Sequence, residues 1–499
     1  MNQKLLFARA YESVAAQQIP DAARPLFHLT PYAGWMNDPN GFSFYQGRYH
    51  LFYQYNPYDT KWDDMHWGHA VSADLLQWDY LPAAMAPDEP YDDKGCFSGS
   101  AQELADGRQL LLYTGVRAEG GERDKEIQTQ CVAVGDGLDY AKLPQNPVIS
   151  WEDLPEGLDK HNFRDPKIWK TAEGYRCVVG SCDENGLGKI LLFRSADGFA
   201  WTFESILAEN DGRLGLMWEC PDFFSLDGKD VLLVSPQDML PEGFEYHNGN
   251  GTVAMIGTFD EQTRRFLPEA DQAVDYGIDF YAPTTLLSPD GRRIMIGWMQ
   301  NWDTTQLSGS KDRKWFGQMT LPRELFLRDG RLCQRPIREL EAFRSRPVTY
   351  ENVLVDSVVH LPGIQGRTLD MELTVRPEPG EPLYHKFSVR FMENEQFHTK
   401  LSYRTHESVL RIDRKFSGSR RAYIHQRRCQ IAPRNGEIKL RLILDRFSAE
   451  VFINDGEKVM TATIFTDLAA QGISFFADGK VRLDVTKYDL FSEETHETL

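Results

Sequence analysis

Along most of this chain, short runs of apolar and aromatic residues alternate with polar ones, and turn signals separate the runs. Gly47-Arg48 precedes Tyr49-His50-Leu51-Phe52-Tyr53, and Asp106-Gly107 precedes Leu110-Leu111-Leu112-Tyr113. Asp197-Gly198, Asp227-Gly228 and Asp290-Gly291 mark further turns between strands. Between residues 30 and 340 almost nothing keeps a helical period, which predicts an all-β region. Residues 3 to 18 do have helix-like spacing, with Leu5, Leu6, Ala10, Val14 and Ala15 as a candidate apolar stripe. A short N-terminal helix is therefore predicted within residues 1–26.

A weak repeat runs through residues 27–340. Asn37-Asp38-Pro39, Phe97-Ser98-Gly99-Ser100, Arg164-Asp165-Pro166, Trp218-Glu219-Cys220-Pro221-Asp222 and Tyr281-Ala282-Pro283 recur at intervals of roughly 60 residues, the length of a four-stranded blade with generous loops. Five such units predict a five-bladed β-propeller whose repeated segments face one pocket. A large β-sandwich with coincidental spacing is the alternative. Residues 341–499 change character: Lys386–Phe391, Lys439–Leu444, Glu450–Ile453 and Val481–Val485 alternate strictly, which predicts a β-sandwich with wet outer faces.

Composition narrows the function classes. The formal net charge of −19 opposes nucleic-acid binding, which needs a basic footprint, and disfavours anionic membranes. Seven scattered cysteines form no C-x-x-C pair, so neither a disulfide framework nor a zinc site is predicted. Met1 to Pro20 carries Lys4, Arg9 and Glu12 and lacks an unbroken apolar run, and no stretch is long and apolar enough to span a bilayer, so a cytoplasmic protein is expected.

Three acidic segments carry the candidate chemistry. Asp-Pro-Asn-Gly at 38–41 is a strong turn in its own right, and the same turn can hold the Asp38 carboxylate rigidly between Trp35 and Asn37. Arg164 beside Asp165 reads as an ion pair, or as a device that keeps Asp165 ionised for binding hydroxyls. Glu219 lies between Trp218 and Cys220, where apolar neighbours and nearby carboxylates suit a general acid. Glycoside hydrolysis uses this inventory: a carboxylate attacks, and a carboxylic acid about 5–5.5 Å away protonates the leaving oxygen.

These motifs, in this order and spacing, resemble those of glycoside hydrolase family 32, the invertase and fructanase family. Trp35 to Gly41 is similar to its nucleophile motif, Arg164-Asp165-Pro166 to its transition-state-stabiliser motif, and Glu219-Cys220 to its acid/base motif. The resemblance continues at Phe97–Ser100, Asp279–Pro283, Gly297-Trp298-Met299 and Glu450–Gly456. It implies a five-bladed propeller followed by a β-sandwich, and a retaining β-fructofuranosidase acting on sucrose, sucrose 6-phosphate or short fructo-oligosaccharides. It further implies that Asp38 attacks fructose C2, Glu219 is acid and base, and Asp165 holds hydroxyls. Asn37, Gln54, Trp62, Ser98 and Arg164, with Trp35 and Phe97, bind the fructosyl unit. Tyr281 tunes Glu219 or meets substrate, and Trp298 forms part of the wall. The partner is a small-molecule fructoside, and no cofactor is implied. A transfructosylase and a non-catalytic fructan-binding protein remain as alternatives.

Two further segments stand apart. His66 and His69 lie three apart in a predicted strand, hence on opposite faces, so no metal site is predicted. Ser308 to Lys314 is a basic loop, in which Lys311, Arg313 or Lys314 is a candidate for attracting a substrate phosphate.

Overall fold

The computed structural model describes residues 2–120, 122–304, 313–418, 424–432 and 434–491. The chain is mostly β. Five sheets of sequential antiparallel strands follow one another, the first with one short parallel strand added at its edge, and two six-stranded sheets complete a C-terminal β-sandwich. Tight hairpins build the meanders. At Asp227-Gly228 both residues have positive φ, 48° and 82°, and Leu226 pairs with Lys229 directly across the turn. That is the two-residue hairpin whose twist matches the strands, and glycine takes its second position without a Cβ penalty.

The first strands of the five sheets are Gly34–Tyr45, Gly95–Glu103, Leu158–Thr171, Trp218–Leu226 and Tyr281–Leu287. Each contains one of the five repeated segments. Each packs against the next, and Tyr281–Leu287 packs back against Gly34–Tyr45, so the five strands form a ring. Trp315–Phe316, which follows Tyr281–Leu287 in the chain, pairs in parallel with Gly34 and Trp35 of the first sheet.

The N-terminal helix spans Gln3–Ala16, but it does not bury the predicted stripe. Leu5, Ala8, Glu12 and Ala16 face inward, whereas Leu6 and Val14 are exposed. The inward Glu12 carboxylate accepts from the backbone N–H of Ala83 at 2.8 Å, a bond that hydrophobic periodicity does not register.

The sandwich also departs from the expected one-sided burial. Val481–Leu490 alternates between buried and partly exposed positions, as read from sequence. Ser448–Ile453 and Lys458–Thr463 are buried on both faces. One face of each joins the sandwich core through Val451, Ile453, Met460 and Ala462. The other meets the five-sheet ring through polar side chains. The fully buried Arg323 donates to Glu450 Oε2 at 2.5 and 2.9 Å, to Asp275 Oδ2 at 3.0 Å and to Thr461 Oγ1 at 2.7 Å. His28 adds a second cation, with Nδ1 2.8 Å from Asp445 Oδ2 and Nε2 2.9 Å from Glu450 Oε1.

Both ring nitrogens of His28 face carboxylates, so the doubly protonated imidazolium satisfies both. Burial lowers its pKa, but the hydrogen bonds and charges of Asp445 and Glu450 outweigh that and raise it to about 9. A folded pKa above the ordinary 6.5 stabilises the fold fully below that pH, and the stabilisation drains away as pH rises toward about 9. His28→Gln is expected to lower the melting temperature at pH 6 and to flatten the fall in melting temperature of the wild type between pH 6.5 and 9. Parallel melting curves for both proteins across that range would refute the assignment.

Candidate active site

At each first strand the hydrogen-bonded ladder slips at the repeated segment. Pairing jumps from Met36 to Pro39, from Phe97 to Gly99, from Arg164 to Lys167, from Glu219 to Asp222 and from Tyr281 to Thr284. A bulge releases residues from the ladder and re-aims their side chains. Asn37, Asp38, Ser98, Asp165 and Cys220 are among those released. Proline lacks an N–H and is tolerated where pairing lapses, which accounts for Pro166, Pro221 and Pro283. Asp165, Cys220 and Ala282 take left-handed φ values of 67°, 48° and 50°. Backbone in that region is strained for residues other than glycine, and such strain clusters at functional sites.

The released side chains surround a cavity of about 460 Å³. Asn37, Asp38, Gln54, Trp62, Phe97, Ser98, Arg164, Asp165 and Glu219 all line it. Asp38 accepts from Ser98 Oγ at 2.7 Å and from Asn37 Nδ2 at 3.1 Å, and Trp35 Nε1 orients Asn37 at 2.8 Å. The Cys220 thiol lies 3.6 Å from both Asp38 Oδ2 and Asp165 Oδ2, and the Cys220 backbone N–H donates to Asp165 at 2.9 Å. One residue from the fourth sheet thereby bridges carboxylates from the first and third.

Arg164 does not serve Asp165 in the way its sequence position suggests. Its Nη2 and Nε donate to Glu219 Oε1 at 2.9 and 3.1 Å, whereas its nearest approach to Asp165 is 4.0 Å. Adjacent residues in a bulged strand point different ways, so the guanidinium reaches across to the neighbouring sheet. Tyr281 donates to the other Glu219 oxygen, Oε2, at 2.6 Å. Asp165 is accordingly not held low. Burial pushes it up to about 7, with Arg164 opposing and the charges of Glu219 and Asp38 adding to the rise. Burial and the charge of Glu219 lift Asp38 to about 6, against the hydrogen bonds from Ser98, Asn37 and Cys220. Burial and three neighbouring carboxylates raise the Cys220 thiol far above its ordinary value, so it stays protonated and acts as a donor.

Three of the aromatic residues singled out in the sequence stand behind the wall. Trp35, Tyr281 and Trp298 are almost wholly buried. Trp298 packs against Trp35 and Trp302, with ring centroids 5.9 and 5.0 Å apart, and it is Trp302 that reaches the cavity. Gln237, Asp238 and Asn250 complete the lining. No motif marked these four, because their place depends on how the fourth and fifth sheets meet. Of the basic loop, Lys311 lies outside the described residues. Arg313 turns away, with its guanidinium 5.0, 5.1 and 4.2 Å from the rings of Trp315, Phe447 and Phe465. His66 and His69 serve separate partners, the Asp64 carbonyl and His50 Nδ1.

Three carboxylates and a guanidinium around one cavity can bind a polyol and carry out nucleophilic and acid–base chemistry. Comparison with known proteins agrees. Residues 28–336 match the family model described as the glycosyl hydrolases family 32 N-terminal domain, and residues 339–491 match that family's C-terminal model. A raffinose invertase of Escherichia coli is 37% identical over 96% of this chain and 97% of its own length. A sucrose-6-phosphate hydrolase of Zymomonas mobilis is 35% identical over 93% of this chain and 91% of its own. The solved structure of a mutant Bombyx mori GH32 β-fructofuranosidase in complex with sucrose superposes with a TM-score of 0.84 at 34% identity, covering 98% of this chain and 99% of that one. The chain belongs to glycosyl hydrolase family 32.

Proposed function

We propose that this protein is a retaining β-fructofuranosidase that releases fructose from sucrose and related fructosides. The observation that carries this reading is the gathering of Asp38, Asp165 and Glu219 from three different sheets around one cavity. Asp38 attacks the anomeric C2 while Glu219 protonates the glycosidic oxygen, and the leaving alcohol departs. Glu219, now a carboxylate, takes a proton from water, whose oxygen displaces Asp38 from C2 and regenerates the site. Asp165 grips fructose hydroxyls, and Ser98, Asn37 and Cys220 hold Asp38 in its attacking position. Arg164 and Tyr281 fix the direction of Glu219 without filling the cavity.

The same reading treats residues 27–340 as a five-bladed β-propeller, supported by the five successive sheets and the ring of their first strands. It assigns residues 1–26 to a helical extension and residues 341–499 to a sandwich domain, as expected from the sequence. Seven unpaired thiols, six of them buried, support a reducing compartment such as the cytoplasm. Among the described residues, Arg164 is the one cation of the lining, and it is committed to Glu219. That favours sucrose over its 6-phosphate.

Asp38→Ala is expected to lower kcat by roughly three to six orders of magnitude, as loss of a covalent nucleophile implies. Proton NMR of the wild-type reaction should show β-fructofuranose as the first anomer released; the α anomer appearing first would refute double displacement. On the substrate question, kcat/KM for sucrose is expected to equal or exceed that for sucrose 6-phosphate in a direct comparison of initial rates.

Asp38 must be ionised to attack, so kcat/KM should fall as pH drops through the range of about 6 to 7 where Asp38 and Asp165 take up protons. Ser98→Ala removes a hydrogen bond that favours the ionised form. It should move the acid limb upward by roughly half a unit to one unit. An unmoved or lowered limb would show that Ser98 does not stabilise the Asp38 carboxylate.

A further inference from the structure

We infer that the outer face of the C-terminal sandwich holds a binding site for a phosphate-class oxyanion, floored by Ser388 and Ser402 and rimmed by the cations of three cross-strand pairs. The site shares no residue with the catalytic cavity and stands apart from the β-fructofuranosidase reading.

Four neighbouring strands build this face: Lys386–Glu393, His398–Arg404, Val409–Phe416 and Gln426–Gln430. Phe387, Val389, Leu401, Tyr403, Leu410 and Ile412 enter the sandwich core. Alternation along each strand therefore turns their neighbours outward. The register sets Lys386 opposite Arg404, Arg390 opposite Lys400, and Arg411 opposite Arg428. Like charges directly opposite one another destabilise a sheet, and three such pairs share this one face. They do so in a chain whose net charge is −19. One row across the strands runs Ser388, Ser402, Arg411, Arg428. Lys386 and Arg390 flank Ser388 on its strand, and Lys400 and Arg404 flank Ser402. Two short hydroxyl side chains among long cationic ones make a depression with a positive rim.

The neighbouring carboxylates do not cancel that charge. Arg404 pairs with Glu407 at 3.0 Å and Arg390 with Glu393 at 3.3 Å, but Asp413 comes no nearer than 3.9 Å to Arg411. Among the described residues, Lys386, Lys400 and Arg428 make no ion pair, although Asp478 stands opposite Lys386. Lys386 lies instead over the Phe476 ring, 5.1 Å from its centroid. Six cations against these four carboxylates leave an excess that suits a doubly charged ligand better than a single carboxylate. Lys400 is held below the ordinary lysine range, by burial first and then by the charge of Arg411, with Arg390 and Lys386 adding and Asp413 opposing. The floor shows the same want of an anion. Ser388 Oγ is buried and has no hydrogen-bond partner among the described residues. A buried hydroxyl left unpaired is costly, and an oxyanion beside it supplies the missing acceptor. Next to it, Ser402, Arg404, Arg411 and Arg428 line a groove. Guanidinium groups match the oxygens of a phosphate in pairs, and the serine hydroxyl adds a neutral donor.

Isothermal titration of the full chain with inorganic phosphate near neutral pH, at an ionic strength held constant with NaCl, tests the site. One saturable site per chain is expected, with a Kd of about 1 mM or tighter. Arg411→Gln should weaken it about tenfold or more, the scale of one charge-assisted hydrogen bond. Ser402→Ala changes no charge and should still weaken it about threefold or more, a loss to which a diffuse positive field is blind. Melting temperatures check that the variants fold; should Arg411→Gln not fold, Arg428→Gln takes its place. Fructose 6-phosphate is titrated alongside. Binding that depends on Arg411 in the same way admits a phosphate ester as the ligand, and exclusion of the ester identifies the free ion. No saturable phosphate binding up to about 10 mM, or binding indifferent to the Arg411 and Ser402 changes, would overturn the site. Retention on heparin or on anionic vesicles without phosphate binding would also overturn it, and would give the face to a polyanion or a membrane.

Discussion

Asp38 is half-buried and Asp165 buried, both are negatively charged when ionised, and they stand close enough to share a single thiol, that of Cys220. Bringing such groups together out of bulk water opposes folding unless each finds donors. The surrounding structure meets that need from several sheets at once. Ser98 and Asn37 serve Asp38, the Cys220 backbone N–H serves Asp165, and Arg164 with Tyr281 serves Glu219. No single strand supplies both an acid and all its donors. The site exists only when the sheets stand side by side.

The repeated bulge is how a regular β framework delivers these groups. In an unbroken strand, neighbouring side chains alternate between faces and would point into the sheet packing. Releasing a residue or two from the ladder at the same place in each first strand turns five short segments toward a common centre. Left-handed backbone at Asp165, Cys220 and Ala282 is the local conformational cost, held in place by the packing of the ring. The raised pKa values of Asp38 and Asp165 follow from the same burial that excludes water from the chemistry.

The sandwich is tied to this centre by charge rather than by an apolar seam alone. Arg323, His28 and Arg414 each cross between the two parts and pair with buried carboxylates. Breaking one partner of such a pair leaves an uncompensated buried charge, so these contacts fix relative position sharply even where their net contribution to stability is small. The Asp279 contact extends that fixation to Thr304, in the turn that carries Trp302.

Much of this was legible in the chain alone. Turn residues such as Asp227-Gly228 encode their hairpins locally, because backbone φ preference needs no partner. Asp38, Asp165 and Glu219 stood out through short motifs at regular spacing, and the spacing reflects a bulge at the same place in each first strand. What failed was everything set by a neighbour from elsewhere. Arg164 serves Glu219 instead of the adjacent Asp165, Trp302 rather than Trp298 reaches the cavity, Glu12 faces inward on its helix, and Ser448–Ile453 is covered on both faces. Local periodicity specifies which way a side chain leaves its own backbone, so the sequence by itself determined strands, turns and the three acids. Which surface waits on the other side is decided by how the sheets and the sandwich pack, and the tertiary structure alone settled those partners.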